Sequence, residues 1–236
     1  MSSDLEQTEY RSLAPLSLVG LILGLLAPVA FLSPLLIAVP LAGIVFSLIA
    51  LRQIATSDGS VLGRVPAIVG LVLSTICATA IPAQSVAQRW LASRQARPIA
   101  MEWFALLAKD DPYSAVEMTN QAAGRLASGP TLVEHYTANE ALYERLQTFV
   151  NDPAVRALLA LGEQATVRYY DDAGFGRLSG DRLQLGQIYA VTFRESPDDE
   201  PVTFFVQLVL EKNPGNPTMP GGWHILSYKG GVRPEP

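Results

Sequence analysis

The chain has 236 residues, 49% of them hydrophobic, with 22 acidic against 17 basic side chains and a formal charge of −5. The acids are concentrated late: residues 1–97 hold six Arg, no Lys and four acids, whereas residues 98–236 hold 11 basic and 18 acidic side chains. Binding to nucleic acid rests on clustered Lys and Arg that neutralise phosphates, so the net negative carboxy-terminal part excludes nucleic acid as a partner.

Residues 13–51 contain no ionisable side chain. As one helix at about 1.5 Å per residue the run would be roughly 58 Å long, against a hydrocarbon core of about 30 Å, so it must fold back. Ser33-Pro34 is the natural place, since proline disfavours helix in the residue before it and suits the first turn of the next helix. The reading is a first span over 13–32 and a second over 35–51, with Arg52 reaching toward the interface. After a polar stretch, a third uncharged run over 65–83 is bracketed by Pro66 and Pro82. It contains Cys77, the only cysteine, which reads as a small packing residue and rules out a disulfide within the chain.

Together these segments predict a three-helix transmembrane region over 13–83, preceded by a tail over 1–12. A signal peptide does not fit, because the first eleven residues carry three acids and one Arg, and two further apolar runs follow. A buried hairpin of a water-soluble fold would need a polar face that this run lacks. Gly20 and Gly24 in the first span, and Gly70, Ser74 and Ala78 in the third, recur at intervals of four. That spacing places them on one helical face, where backbones approach closely, either within the bundle or in a dimer. With nothing ionisable inside, the spans read as an anchor and not as an ion or proton path.

Three Arg flank the spans on one side (Arg11, Arg52, Arg64) and three on the other (Arg89, Arg94, Arg97). Weighting the short loop between spans two and three puts the amino terminus in the cytoplasm and the large domain outside. The residues Ala50-Leu51-Arg52-Gln53-Ile54, Ser57-Asp58-Gly59, Gly63-Arg64 and Ala67-Ile68-Val69-Gly70-Leu71-Val72-Leu73 carry a resemblance. They are similar to the bacterial membrane family called domain of unknown function 4190, over roughly residues 12–80, with Val65-Pro66 and Ser74 departing from its pattern. The resemblance implies a multi-pass setting in a bacterial inner membrane and no known activity.

A helical linker over 84–97 leads to a soluble α+β domain over 98–236. Pro98 is expected to start a helix with Ile99, Trp103, Leu106 and Leu107 inward. Asp111-Pro112 and Asp152-Pro153 read as caps with first-turn prolines, and Thr137 to Glu140 as a capping box. Beyond Gly162 the pattern alternates, giving strands over 165–171, 186–195, 201–211 and 222–229. Short turns between them predict an antiparallel meander. Helices followed by such a sheet, with Trp103-Phe104 in the leading helix and Gly222-Trp223-His224-Ile225-Leu226 in the last strand, resemble the nuclear-transport-factor-two-like cone. The resemblance implies helices packed on a curved four-stranded antiparallel sheet, with a pocket on the concave face.

Trp103, Tyr169, Phe193 and Trp223 are the candidate lining of that pocket. His224 is the one candidate general base, since its ring titrates near neutrality, and it shares a strand face with Leu226 and Tyr228. Asp171-Asp172 reads as a turn after the first strand, and Asp198-Asp199-Glu200 as a solvated hairpin tip, not a calcium loop. Gly174-Phe175-Gly176 is too short for a phosphate loop, and there is no Gly-x-Ser-x-Gly, His-Glu-x-x-His or Cys pair. No catalytic residue, metal ligand or cofactor site is therefore assigned. The leading expectation is a membrane-anchored, non-catalytic module that binds a ligand, a protein or a second copy of itself. A cone-pocket hydrolase or isomerase using His224, and an accessory subunit of a membrane complex, are the alternatives. The expected partners are the lipid bilayer and a homo-oligomeric or membrane-complex partner.

Overall fold

The structure, a computed structural model, describes residues 12–13, 15–57, 61–196, 198–215 and 221–233. The expected tail up to residue 11, Asp58-Gly59-Ser60, Pro197 and the middle of the last hairpin connection lie outside the described residues. The chain divides into two units, Met1–Gln88 and Arg89–Pro236.

In the first unit, a two-residue strand β1 (Ser12–Leu13) runs parallel to β2 (Val61–Leu62). Helix α1 spans Pro15–Leu26 and gives way to 3-10 turns over Ala27–Phe31. Ser33 is extended, with φ −155° and ψ 137°, and the chain reverses there into a 3-10 turn and then helix α2, Ala38–Ala55. Helix α3, Arg64–Ala108, begins in this unit.

Three full spans are not what the structure holds. Two helices are long and apolar enough to cross a membrane, Leu35–Ala55 and Arg64–Ala108, and the apolar segment Pro15–Phe31 falls short. Pro28 supplies the reason: it has no N–H to donate to the Gly24 carbonyl, so the α-helical ladder ends at Leu26 and tighter turns follow. Only 22% of each long apolar window is buried within the chain, so most of its apolar surface faces outward. A core helix of a water-soluble fold would hide that surface instead.

The recurrent small residues let these helices approach. A Cβ added at Gly70 would lie 2.5 Å from the Gly20 carbonyl oxygen, and one at Gly24 would lie 2.8 Å from the Gly70 Cα. Gly43 abuts Ser74 in the same way, so the stripe is used between helices of one chain, where contact is gained through dispersion.

The second unit is an α+β domain. The part of α3 beyond Gln88 is followed by α4 (Pro112–Glu117), α5 (Pro130–Ala138), α6 (Glu140–Asn151) and α7 (Pro153–Leu161). Helix α3 runs through Pro98 without restarting. The missing backbone bond is the one to Arg94, and both residues are exposed, where water can replace it. Asp111 accepts from the Ser114 amide at 3.0 Å and Asp152 from the Ala154 amide at 2.8 Å, each ahead of a proline in the first turn. The expected capping box is shifted. Thr137 lies inside α5, its hydroxyl donating to the Val133 carbonyl at 3.0 Å, and Asn139 caps α6 by accepting from Leu142.

Four strands follow, β3 (Thr166–Arg177), β4 (Leu183–Phe193), β5 (Val202–Asn213) and β6 (Gly222–Gly230), paired antiparallel in sequence order. The sheet is an open meander and is not curled into a cone. Its central pair runs in register from Leu183↔Lys212 to Phe193↔Val202 without a shift, and the irregularities are confined to the outer pairs. Curling long strands needs bulges that bend them, and the middle of this sheet has none.

The outer irregularities do matter locally. Register shifts between Tyr169 and Asp171 and between Asp172 and Gly174 keep Asp171-Asp172 inside β3, so this pair is not a terminal turn. A shift opposite Val209 and Leu210 reverses the alternation of β6. Trp223, Ile225 and Tyr228 therefore face the helices, Leu226 is half exposed, and His224 lies on the other face.

Candidate functional site

The space between helices and sheet, where the pocket was expected, is filled by aromatic rings. Trp103 is fully buried, with its ring 5.2 Å from Phe104, 6.3 Å from Phe149 and 5.5 Å from Tyr228. Tyr169 packs on Tyr189 at 5.9 Å, and the Arg97 guanidinium covers its ring at 3.5 Å. Trp223 is buried near the start of β6, and Phe193 stacks edge-on against Phe204 at 6.3 Å. The four predicted lining residues thus lie in four places, each with ring or backbone partners outside the set.

Of the four, Phe193 borders open space. It lines a groove of about 770 Å³ with Thr166, Arg168, Thr192 and Arg194, at the end of the sheet where β4 leaves for its hairpin. This volume falls in the range of small-molecule sites, but the groove is open to solvent and its polar side chains are on strands and a loop. A second depression of about 430 Å³ lies between the start of α7 and the end of β6, beside Phe204 and Tyr228.

His224 is 5% exposed and directly opposes Glu211 of β5. Its Nδ1 has no hydrogen-bond partner, and the two grooves above are lined by other residues. Burial holds the imidazole below its ordinary pKa; the Glu211 carboxylate and carbonyl oppose that shift, and Arg125 adds to it. The Glu211 carboxylate in turn meets Arg182 at 3.4 Å. A histidine kept neutral in the fold makes stability fall as pH drops. Between its unfolded value near 6.5 and its lower folded value, the unfolded chain takes up a proton that the folded chain refuses. Urea unfolding of the full chain in mild detergent should therefore show lower stability at pH 5.5 than at pH 7.5. Changing His224→Gln should narrow that difference, and an unchanged difference would assign it to other groups.

Two further polar clusters bring together Asp172, read from the sequence as part of a turn, and residues that sequence reasoning passed over. On the face of α3 that meets the sheet, Ser93 Oγ donates to Asp172 Oδ1 at 2.9 Å, and Gln187 Nε2 donates to Ser93 Oγ at 3.1 Å and to Asp172 Oδ1 at 3.3 Å. The Tyr189 hydroxyl donates to Gln187 Oε1 at 2.8 Å, and Arg89 donates to the Asp172 carbonyl at 3.1 Å. Burial raises the phenol pKa of both Tyr169 and Tyr189. The bulged geometry of β3 is what turns Asp172 toward the helix.

The other cluster centres on Glu117 at the end of α4, 4% exposed. Its carboxylate accepts from the Tyr136 hydroxyl at 2.6 Å, the Asn120 amide at 3.1 Å and the Leu126 backbone N–H at 2.9 Å. Nearby Arg125 donates to the Trp223 carbonyl at 2.7 Å and to the Met118 carbonyl at 3.3 Å, tying the loop after α4 to β6. The one sequence cue was an acid set among apolar neighbours, Ala115-Val116-Glu117-Met118.

Each carboxylate in these clusters is occupied by protein donors, an arrangement that holds elements together. Among the described residues, no group of three or more His, Cys, Asp or Glu is placed to hold a metal ion. The chain is thus defined by two helices able to cross a membrane and a separate α+β domain with a polar-stapled core. No family model, no curated protein and no solved structure matches it.

Proposed function

We propose that this chain is a membrane-anchored protein whose α+β domain serves as a non-catalytic binding or dimerisation module at the bilayer surface. The observation that carries the anchor is the outward-facing apolar surface of the two long helices, of whose windows only 22% is buried within the chain. Two features support a binding role over a catalytic one. The interior acids Glu117, Asp172 and Glu211 are engaged in structural contacts. The open space lies in the groove beside Phe193, which offers Arg168 and the Thr166 hydroxyl to a partner.

The short connection between the two long helices is flanked by Arg52 and Arg64, which favours the cytoplasm for that connection and the outer side of the membrane for the domain. Expressed in a bacterial host, the chain should float with membranes and resist extraction by alkaline carbonate; release would sink the anchor reading. Protease added to intact spheroplasts should remove the α+β domain. Full protection would overturn this orientation.

A further inference from the structure

We infer that Trp90 and Arg94 form an interfacial clamp that seats α3 in the headgroup layer, the ring among glycerol and carbonyl groups and the guanidinium on lipid phosphate. The inference rests on the membrane-anchor reading and adds a lipid contact to it. The face of α3 that meets the sheet is made of small residues, with Ala92, Ser93, Ala96 and Ala100 buried. Trp90 points elsewhere and is 58% exposed, and so are its apolar neighbours Val86 at 67% and Leu91 at 52%. Three such side chains standing in water would be costly, whereas the region where hydrocarbon meets headgroups accepts them.

Position along the helix supports that occupant. The uncharged stretch between Arg64 and Arg89 is 24 residues, residues 65–88. Trp90 lies 26 residues beyond Arg64 in the same helix, about 39 Å at the helical rise. The hydrocarbon core is about 30 Å thick and the bilayer with its headgroups about 40–45 Å, so a ring at that distance falls in the headgroup layer.

The two basic residues nearby are used differently. Arg89 is held by Asp172, through its carbonyl at 3.1 Å and its carboxylate at 3.7 Å. Arg94 lies over the Trp90 ring at 4.7 Å, and no carboxylate among the described residues pairs with it. A guanidinium stacked on an indole keeps its N–H fork free for a bidentate contact, the geometry that suits phosphate.

Trp103 and Trp223 are buried in the α+β domain, so bromine on lipid chains reports on Trp90. The full chain would be reconstituted into phosphatidylcholine vesicles brominated near the headgroup or near the bilayer centre. Expected is stronger quenching by the shallow bromine than by the deep one, its loss in Trp90→Phe, and a smaller shallow-to-deep ratio in Arg94→Gln. Equal quenching in Trp90→Phe and wild type, or none in wild-type protein that floats with the vesicles, would overturn the clamp. An unchanged ratio in Arg94→Gln would overturn the part given to the guanidinium. Failure to float would instead remove the anchor reading beneath it.

Discussion

Replacing Trp103 by alanine should lower the stability of the α+β domain by about 3–5 kcal/mol, the range for truncating a fully buried aromatic side chain. Trp103 joins three elements at once, meeting Phe104 on its own helix, Phe149 on α6 and Tyr228 on β6. Losing the indole leaves a cavity that one strand and two helices would have to close together, and dense interiors relax only in part. The indole Nε1 is buried without an acceptor, so it contributes nothing by hydrogen bonding and costs some desolvation. Trp103→Phe should therefore cost well under half of what the alanine change costs, since it removes the unpaired donor and keeps one ring. Urea titration of the full chain in mild detergent, followed by near-ultraviolet circular dichroism, measures both. Equal losses in the two variants would show that a single ring cannot fill the space the indole leaves.

Trp103 was legible as a core residue because helical spacing placed it with Ile99, Leu106 and Leu107. The caps at Asp111 and Asp152 were legible for a related reason: each depends on a short stretch of chain, an acid followed by proline, whose partners are two or three residues away. Thr137 was misplaced because a threonine three residues before a glutamate looks the same whether it caps a helix or lies within one. What decides is that its hydroxyl finds the Val133 carbonyl, so that the break falls on Asn139. The apolar runs were visible from the absence of charge. The shortening of the first by Pro28 was not legible, because a proline within an uncharged run reads the same whether the helix kinks there or ends.

The candidate site was far less legible. Ser93 and Asp172 are 79 residues apart, and Ser93 and Gln187 are 94 apart. No local pattern encodes such a meeting, and Asp172 reaches the helix because β3 carries two register shifts. The same cause moved Tyr228. One shift in β6 put it beside Trp103 and left Leu226 outside, reversing the face assigned by simple alternation and separating Tyr228 from His224. The concave pocket was an inference from layout; Trp103 packs into the core with Phe149 and Tyr228, while Phe193 borders the open groove.

Glu117→Ala should cost a similar amount, about 3–5 kcal/mol, for an electrostatic and not a volumetric reason. Truncation strands three donors in the interior: the Tyr136 hydroxyl, the Asn120 amide and the Leu126 N–H. Glu117→Gln keeps one carbonyl acceptor in nearly the same shape and should lose about 1–2 kcal/mol, within the range of hydrogen bonds made to a charged group. Tyr136→Phe removes a single donor, and its effect should fall well below additivity when combined with Glu117→Ala, because the two share one bond. Additive losses would mean that the 2.6 Å contact carries little of the energy. The consequence should also reach beyond α4. Leu126 and Arg125 belong to the segment that reaches the Trp223 carbonyl, so loss of the carboxylate should speed amide exchange at Leu126 and at Ile225, whose N–H donates to the Met118 carbonyl at 3.0 Å. Faster exchange at both sites with slow exchange kept in β4 would identify Glu117 as the staple between the helical layer and the last strand.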